Sequence, residues 1–584
     1  MKKPKNEKKS IQTAARAAQA LAFALLSSQV IAAPSPADIE AAARQAEVLQ
    51  RQQQEQILRD QRLQQGAAKK QEAIDLKALS PQVDASQIAG KCRDISTIEV
   101  DGVTQLLKAQ LDGITQPFVG RCLGVPEVEQ ILGEITRAYM LRGFVTTRAY
   151  LPAQDLGQGK LKVLVVEGRV EKIRVDAPGR TGFRPSNTIP AVKGDLLNLR
   201  DLEQGIDQIN RLQSNGASFD IAPGSAPGLS EVIVRNTPAK FYRWNLSADN
   251  QGSASTGKNQ LGVSFSSDSA LGFSEFIMAT HRESLPLNDK GARSTSDSLM
   301  LAVPYGYNTF TYNGSISSYR STLHAPSGLA LLSDGDSSNN SLAWDRLVYR
   351  NQSTRLNLTG TFTVKDSNNY LEGQFLSVSS RKLSVLDLDS SLSTGWGPGV
   401  LGLSLGWSQG LKAAGALHDI AGLPDFAPRA QFRKIKYGAS YFLPFRVAGR
   451  DWTFNSSLTG QQAKTTLFGS EQISIGSIYS VRGFVKGSLA GDSGYYLRND
   501  LSTRSVFAPA GQVFPVRWYA GLDMGSVRNR AAGVPQGALV GAALGASVNW
   551  QGASWDLSTT CPLATPQGMA KEGCQTWFRL GYTL

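Results

Sequence analysis

Two short segments forty-one residues apart carry the residue types for one specific charge contact. The first is Val481-Arg482-Gly483-Phe484, inside residues 469–492, the longest connection between strand-like segments. The second is Gly521-Leu522-Asp523-Met524-Gly525. Around it Val516, Trp518, Ala520, Leu522 and Met524 alternate with Arg517, Tyr519, Gly521, Asp523 and Gly525, so a strand here turns Asp523 away from its apolar face. A planar guanidinium grips a carboxylate through two parallel hydrogen bonds, and Gly521 and Gly525 leave room for it. A loop folded into the interior would bring Arg482 to Asp523, whereas a surface loop would keep them apart. Patterning alone leaves both readings open.

The elements that must position this pair are strands. From about residue 241 to Leu584 the chain reads as sixteen short segments. They begin near residues 241, 258, 271, 297, 308, 337, 354, 380, 400, 430, 451, 493, 514, 537, 553 and 575. At the C-terminus Phe578, Leu580, Tyr582 and Leu584 alternate with Arg579, Gly581 and Thr583. The first segment sets Tyr242, Trp244, Leu246 and Ala248 against Arg243, Asn245, Ser247 and Asp249. In lipid every backbone polar group needs a partner within the protein, so such strands span only as a closed barrel. A soluble β protein would have to bury these tryptophans elsewhere. An even strand count places both barrel ends, and everything before the barrel, on one side.

The N-terminal part reads differently. Residues 1–32 carry a Lys-rich start, an apolar stretch and Val30-Ile31-Ala32, a small-residue cleavage site, and are read as a secretory signal rather than an anchor helix. The net charge is +13, of which the signal supplies +5, leaving a modest +8 that forms no stripe for nucleic acid. Residues 33–65 read as one Gln-rich helix, polar nearly all round, suited to a wet cavity or a spacer role. Residues 66–88 read as a linker. Residues 89–166 and 167–238 read as two α/β modules, each in strand–helix–helix–strand–strand order. In the first, helices are expected at 103–112 and 126–141 and strands at 95–100, 145–152 and 160–166; residues 239–584 are the barrel.

Four cysteines in an exported chain are expected to pair. Of three possible connectivities, Cys92–Cys122 and Cys561–Cys574 are favoured because each is local to one module. Metal binding is the weaker alternative, since His281, His324 and His418 lie far from either pair. The Gly-x-Ser-x-Gly spacing at Gly402–Gly406 and Gly406–Gly410 falls inside one strand-like segment rather than at a strand-to-helix turn, and with no metal-spaced histidine pair nothing points to an enzyme or a cofactor.

With these residues in order, the chain resembles the two-partner secretion transporters, a branch of the BamA superfamily. Beyond the Val-Arg-Gly-Phe loop and strand aspartate, the resemblance rests on Gly143-Phe144-Val145-Thr146-Thr147-Arg148, Leu151-Pro152-Ala153-Gln154-Asp155-Leu156, Asp201-Leu202-Glu203-Gln204-Gly205, Asn210-Arg211-Leu212 and Asp249-Asn250-Gln251-Gly252-Ser253. It covers essentially the whole mature chain. It implies a plug helix, two POTRA modules and a sixteen-stranded outer-membrane barrel of a Gram-negative bacterium, with the modules in the periplasm. It also implies the Arg482–Asp523 contact and a large secreted partner carrying an N-terminal secretion domain. Cys92 and Cys122 resemble the subset that exports haemolysins and contact-dependent inhibition toxins. Outer-membrane lipid and, during biogenesis, the barrel assembly machinery complete the expected partners. The alternative is an insertase of the same superfamily, which usually carries more modules. Many such barrels end in an aromatic residue, whereas here Leu584 is last.

Overall fold

The computed structural model describes Asp38, Ile39, Ala42, Ala43, Gln45, Ala46 and Val48, and residues 92–324, 328–485, 487–508 and 512–584. The expected signal segment 1–32 and linker 66–88 lie outside the described residues.

The first module comprises β1 (Arg93–Ile95), β2 (Thr97–Asp101), α1 (Lys108–Thr115), β3 (Arg121–Leu123), α2 (Val125–Leu141), β4 (Arg148–Tyr150) and β5 (Lys160–Val166). The α2 helix starts with Pro126 in its first turn, and the Glu127 carboxylate accepts the Gly124 N–H at 2.8 Å. Its Val128, Ile131, Ile135 and Tyr139 recur at helical spacing and pack on Leu161, Val163 and Val165, the inward face of β5. The sheet runs β2-β5-β4, with β2 parallel to β5. Beside it β1 pairs with β3, and a Cys92–Cys122 disulfide joins the two.

The second module repeats the scheme with β6 (Arg169–Asp176), α3 (Pro185–Thr188), α4 (Leu199–Asn210), β7 (Ala217–Pro223) and β8 (Leu229–Asn236), in sheet order β6-β8-β7. Leu202, Ile206 and Ile209 of α4 cover Val232 and Val234 of β8.

Two boundaries differ from the sequence expectation. The helix expected at 103–112 begins only at Lys108, because the Thr104 N–H and hydroxyl are taken by the Glu167 carboxylate. The strand expected at 145–152 shrinks to β4 because Val145 leaves it to pack into the second module's core.

Glu167 sits in the two-residue connection between β5 and β6. It accepts the Tyr139 hydroxyl at 2.6 Å as well as the two donors of Thr104. Burial, reinforced by this carboxylate, pushes the Tyr139 hydroxyl up to about 12. Partial burial works to raise the Glu167 carboxyl, and the hydrogen bonds from Tyr139 and Thr104 outweigh it and hold the group below its usual range. The same junction is tightened by Leu199 N–H donating to the Gly143 carbonyl at 2.8 Å and Leu197 N–H to that of Gly168 at 2.8 Å.

The rest is a closed antiparallel barrel. Its sixteen long strands are Tyr242–Asp249, Asn259–Asp268, Phe276–Leu285, Ala292–Tyr305, Asn308–His324, Ala330–Arg350, Thr354–Leu371, Arg381–Trp396, Gly399–Leu411, Arg433–Val447, Arg450–Ala463, Ser493–Phe507, Phe514–Arg528, Gly537–Trp550, Ala553–Ala564 and Gln575–Thr583. The last strand closes on the first through five pairs, Arg579↔Asp249 to Thr583↔Asn245. Trp244, Leu246, Trp518, Leu522, Leu580 and Tyr582 face outward and are exposed, as a lipid-facing belt requires. Three strand starts differ from expectation, at 276, 292 and 330 instead of 271, 297 and 337. At the first, Glu275 accepts the N–H groups of Leu271 and Phe273, which makes a tight turn where a strand was expected.

The Glu167 junction generates a pH dependence. A carboxylate held below its unfolded value stabilises the fold above the ordinary carboxylate range, and the contribution is lost as pH falls through the lowered value. Because Glu167 is partly exposed, its worth is discounted to about 1 kcal/mol. Glu167→Gln should therefore lower the calorimetric transition of the modules at pH 7. At acid pH, where the wild-type carboxyl is protonated too, variant and wild type should coincide.

Candidate functional site

The connection between the eleventh and twelfth strands, residues 464–492, folds into the barrel interior. Within it Ile473–Ile475 and Leu489–Gly491 form a short antiparallel hairpin. Two acids pin its base. Glu471, buried, meets Lys365 Nζ at 2.6 Å and Lys434 Nζ at 3.0 Å, cations from the seventh and tenth strands. Asp492 accepts Leu467 N–H at 2.8 Å and Arg530 N–H at 2.9 Å. Ile473, Ile475, Val481, Phe484 and Leu489 then pack on Val527 and Leu539 of the wall, so the loop carries its own small apolar core.

At the turn of this loop Arg482 reaches the thirteenth strand. Its Nε lies 2.5 Å from Asp523 Oδ2 and its Nη2 2.7 Å from Oδ1, a two-pronged contact, and its own N–H donates to Oδ2 at 3.1 Å. Asp523 is fully buried and the Arg482 side chain is 5% exposed, so water competes little for either charge. A second carboxylate, Asp500 on the twelfth strand, brings Oδ1 within 2.8 Å of Arg482 Nη1, an ion-pair contact without hydrogen-bond alignment. Between them Arg498, which opposes Asp523 across the strands, donates to the Tyr479 carbonyl at 3.0 Å.

Glycines make the approach possible. A Cβ on Gly521 would stand 2.1 Å from Arg482 Nη2, and one on Gly541 only 1.7 Å from the Arg482 carbonyl oxygen. A Cβ on Gly525 would crowd Val481 Cγ2 at 3.0 Å. Gly483 takes φ +107°, a backbone conformation that glycine alone adopts easily. Each of Val481, Arg482, Gly483, Phe484, Gly521, Asp523 and Gly525 thus lies at one contact. The disulfides are Cys92–Cys122 and Cys561–Cys574, the latter beside Gly483. Sequence reading does not single out Asp500, Arg498 or the Glu471–Lys365–Lys434 group. The first two obey the same alternation as Asp523, and that signal could have found them.

Beyond the clasp lies a polar cavity of about 1130 Å³, lined by Arg243, Arg498, Arg517, Asp556 and Arg579 among others. The described helical residues of segment 33–65 also lie inside the barrel. Ala42 packs among Leu331, Leu371 and Leu376, Ala46 against Tyr319, and Gln45 Nε2 donates to Ser321 Oγ at 2.8 Å. The opposite mouth is held by the second module. Arg350, at the end of the sixth strand, meets Asp207 at 2.5 Å and Glu203 at 3.2 Å, and Arg355 meets Asp207 at 2.9 Å. Tyr307 donates to Asp201, and Leu212 packs on Phe276, Met278, Met300 and Ala302.

A sixteen-stranded barrel and two preceding modules match known proteins along the chain. Residues 94–168 match the ShlB-type POTRA domain and residues 169–223 a further POTRA domain. Residues 228–548, more than half of the chain, match the family described as haemolysin secretion/activation protein ShlB/FhaC/HecB. The chain belongs to this family. Among relatives, the outer membrane transporter CdiB of Escherichia coli O6:K15:H31 (strain 536 / UPEC) is 32% identical over 535 residues, covering 91% of this chain and 88% of the relative. The hemolysin transporter protein ShlB of Serratia marcescens is 30% identical over 481 residues, covering 82% and 84%. The solved structure of CdiB from Escherichia coli superposes with a TM-score of 0.83 at 31% identity, over 92% of this chain and 98% of that one. As a ShlB/FhaC/HecB-family protein, the chain sits in the outer membrane with its POTRA domains in the periplasm.

The glycine contacts generate a test. Gly541→Ala should push the Arg482 backbone off the wall and lower the melting temperature of the detergent-solubilised barrel, at a cost of about 1–3 kcal/mol. Gly360→Ala, on the seventh strand where a Cβ meets only Leu388 at 3.7 Å, should leave the melting temperature unchanged.

Proposed function

We propose that the Arg482–Asp523 clasp seats the loop on which transport depends, in an outer-membrane transporter that secretes a large, β-rich partner protein. The family assignment supports a secretion transporter over an assembly insertase, and it is a transporter family rather than an enzyme class. The observation that carries the reading is the buried two-pronged contact itself, built between a lumenal loop and the barrel wall.

The partner exoprotein, a haemolysin by analogy with the hemolysin transporter ShlB or a contact-dependent inhibition toxin by the resemblance of Cys92 and Cys122, arrives unfolded in the periplasm with unpaired strand groups. The edge strands of the POTRA sheets, β2 and β4 in one and β6 and β7 in the other, are suited to pair with an extended segment of it. The partner's N-terminal secretion domain is the segment assigned to this contact. The chain then threads the polar lumen, and folding outside gives the movement its direction without a nucleotide. The described residues of segment 33–65 lie in the lumen, and the segment must leave it for the partner to pass. Gln45 meets the wall through a hydrogen bond, and Ala42 and Ala46 bring only a methyl group each to it, so the departure of these residues costs little. The barrel assembly machinery inserts the protein, and outer-membrane lipid surrounds it.

Two outcomes test this. Arg482→Ala or Asp523→Ala strands a buried charge at about 3–5 kcal/mol and should abolish secretion while the barrel still inserts, as seen by heat-modifiable mobility. Wild-type amounts of partner in the medium from either variant would refute the role. Deleting residues 33–65 should raise conductance in planar bilayers, and an unchanged conductance would leave that helix a spacer.

A further inference from the structure

The clasp fixes one side chain of the lumenal loop, and a second carboxylate holds the backbone just beyond it. Glu572 lies in the last extracellular loop, residues 565–574, two positions before Cys574. Its Oε2 accepts the Val485 N–H at 3.0 Å and its Oε1 accepts the Gly487 N–H at 2.7 Å. Hydrogen bonds from amides to an ionised carboxylate are the stronger kind, and here one side chain satisfies two.

The same hairpin touches the loop by shape as well. A Cβ on Gly483 would lie 2.5 Å from the Cys561 carbonyl carbon, and one on Gly487 would lie 2.4 Å from Met569 Cε. Met569 packs against the loop's apolar cluster of Val481, Phe484 and their neighbours. The Cys561–Cys574 disulfide closes the base of the loop that carries Glu572 and Met569, so the carboxylate stands on a covalently shortened support. The clasp at Arg482, with Val481 and Phe484 packed on the wall beside it, fixes one end of the turn. A second anchor three to five residues on fixes its orientation.

We infer that Glu572 is a positioning residue for secretion: it seats the turn of the lumenal loop through two backbone amides so that Arg482 meets Asp523. This rests on the clasp being the element on which transport depends. Glu572 acts through the backbone amides of Val485 and Gly487. Because its hairpin includes the strand Gln575–Thr583, which closes the barrel on Tyr242–Asp249 by only five pairs, the residue also ties the loop to the wall beside that short seam.

The test uses the full chain. Glu572→Ala and Glu572→Gln are purified in detergent, and hydrogen exchange is followed by mass spectrometry on a peptide covering residues 483–489. Secretion of the partner is measured in parallel from intact cells. Glu572→Ala should speed exchange of this peptide by about tenfold or more, with peptides from the twelfth and thirteenth strands unchanged, and should lower secretion several-fold. Glu572→Gln keeps one carbonyl acceptor and should fall between wild type and Ala in both readouts. Unchanged exchange in Glu572→Ala would overturn the inference, and so would faster exchange with wild-type secretion. Arg482→Ala, run beside them, separates the two readings: wild-type secretion from that variant brings down the clasp, whereas exchange at residues 483–489 judges Glu572 alone.

Discussion

A guanidinium and a carboxylate, both withdrawn from water, meet edge-on inside a cylinder of strands. An arginine buried beside no acid would be costly, and an aspartate fully enclosed with no cation would be costlier still. Together they constrain everything around them. The loop must fold inward, the facing wall must lack side chains, and the barrel must be closed so that every strand edge is paired in lipid. Gly521, Gly525 and Gly541 supply the missing side chains. Glu471 and Asp492 fix the base of the loop, which shortens the free span and lowers the entropy lost when Arg482 docks.

A similar use of paired charges holds the periplasmic mouth. The helix Leu199–Asn210 turns Glu203 and Asp207 toward Arg350 and Arg355, while Gln208 donates to the Gly306 carbonyl in a short turn between strands. Below it, Glu167 fastens the two-residue connection to the first POTRA domain, and the Leu199 N–H on the Gly143 carbonyl crosses to the second. The periplasmic half is therefore joined to the barrel by a succession of polar contacts around small apolar clusters. Such junctions are specific in geometry yet modest in strength, since each polar group trades protein partners against water. That suits modules that must hold a passing chain and release it.

How much of this is legible in the residues depends on periodicity. In the barrel one face meets lipid and the other a polar lumen, so alternation alone marks the strands and turns Asp523 inward. The strands starting at 292 and 330 begin earlier than alternation indicates because they run past the membrane. These fourth and sixth strands have 14 and 21 residues, beyond the roughly 9–11 that span a bilayer. Over residues 333–341 serine, aspartate and asparagine occupy both faces, and alternation vanishes. The partners of Glu471 and Glu572 are illegible for another reason. Both sit in irregular segments whose contacts are set by how distant parts of the chain meet, and no local pattern encodes that. Asp500 and Arg498 are legible, on the alternation that reveals Asp523.

The central claim is that Arg482 and Asp523 act as one unit in transport. The direct measurement is a double-mutant cycle on residual secretion, comparing Arg482→Ala, Asp523→Ala and the combined variant in an assay sensitive enough to read trace transport from each. If the two side chains work only through each other, the combined variant secretes no less than the weaker single variant. Defects that multiply, so that the combined variant falls well below both, would mean that each residue acts alone and that the contact is incidental to transport.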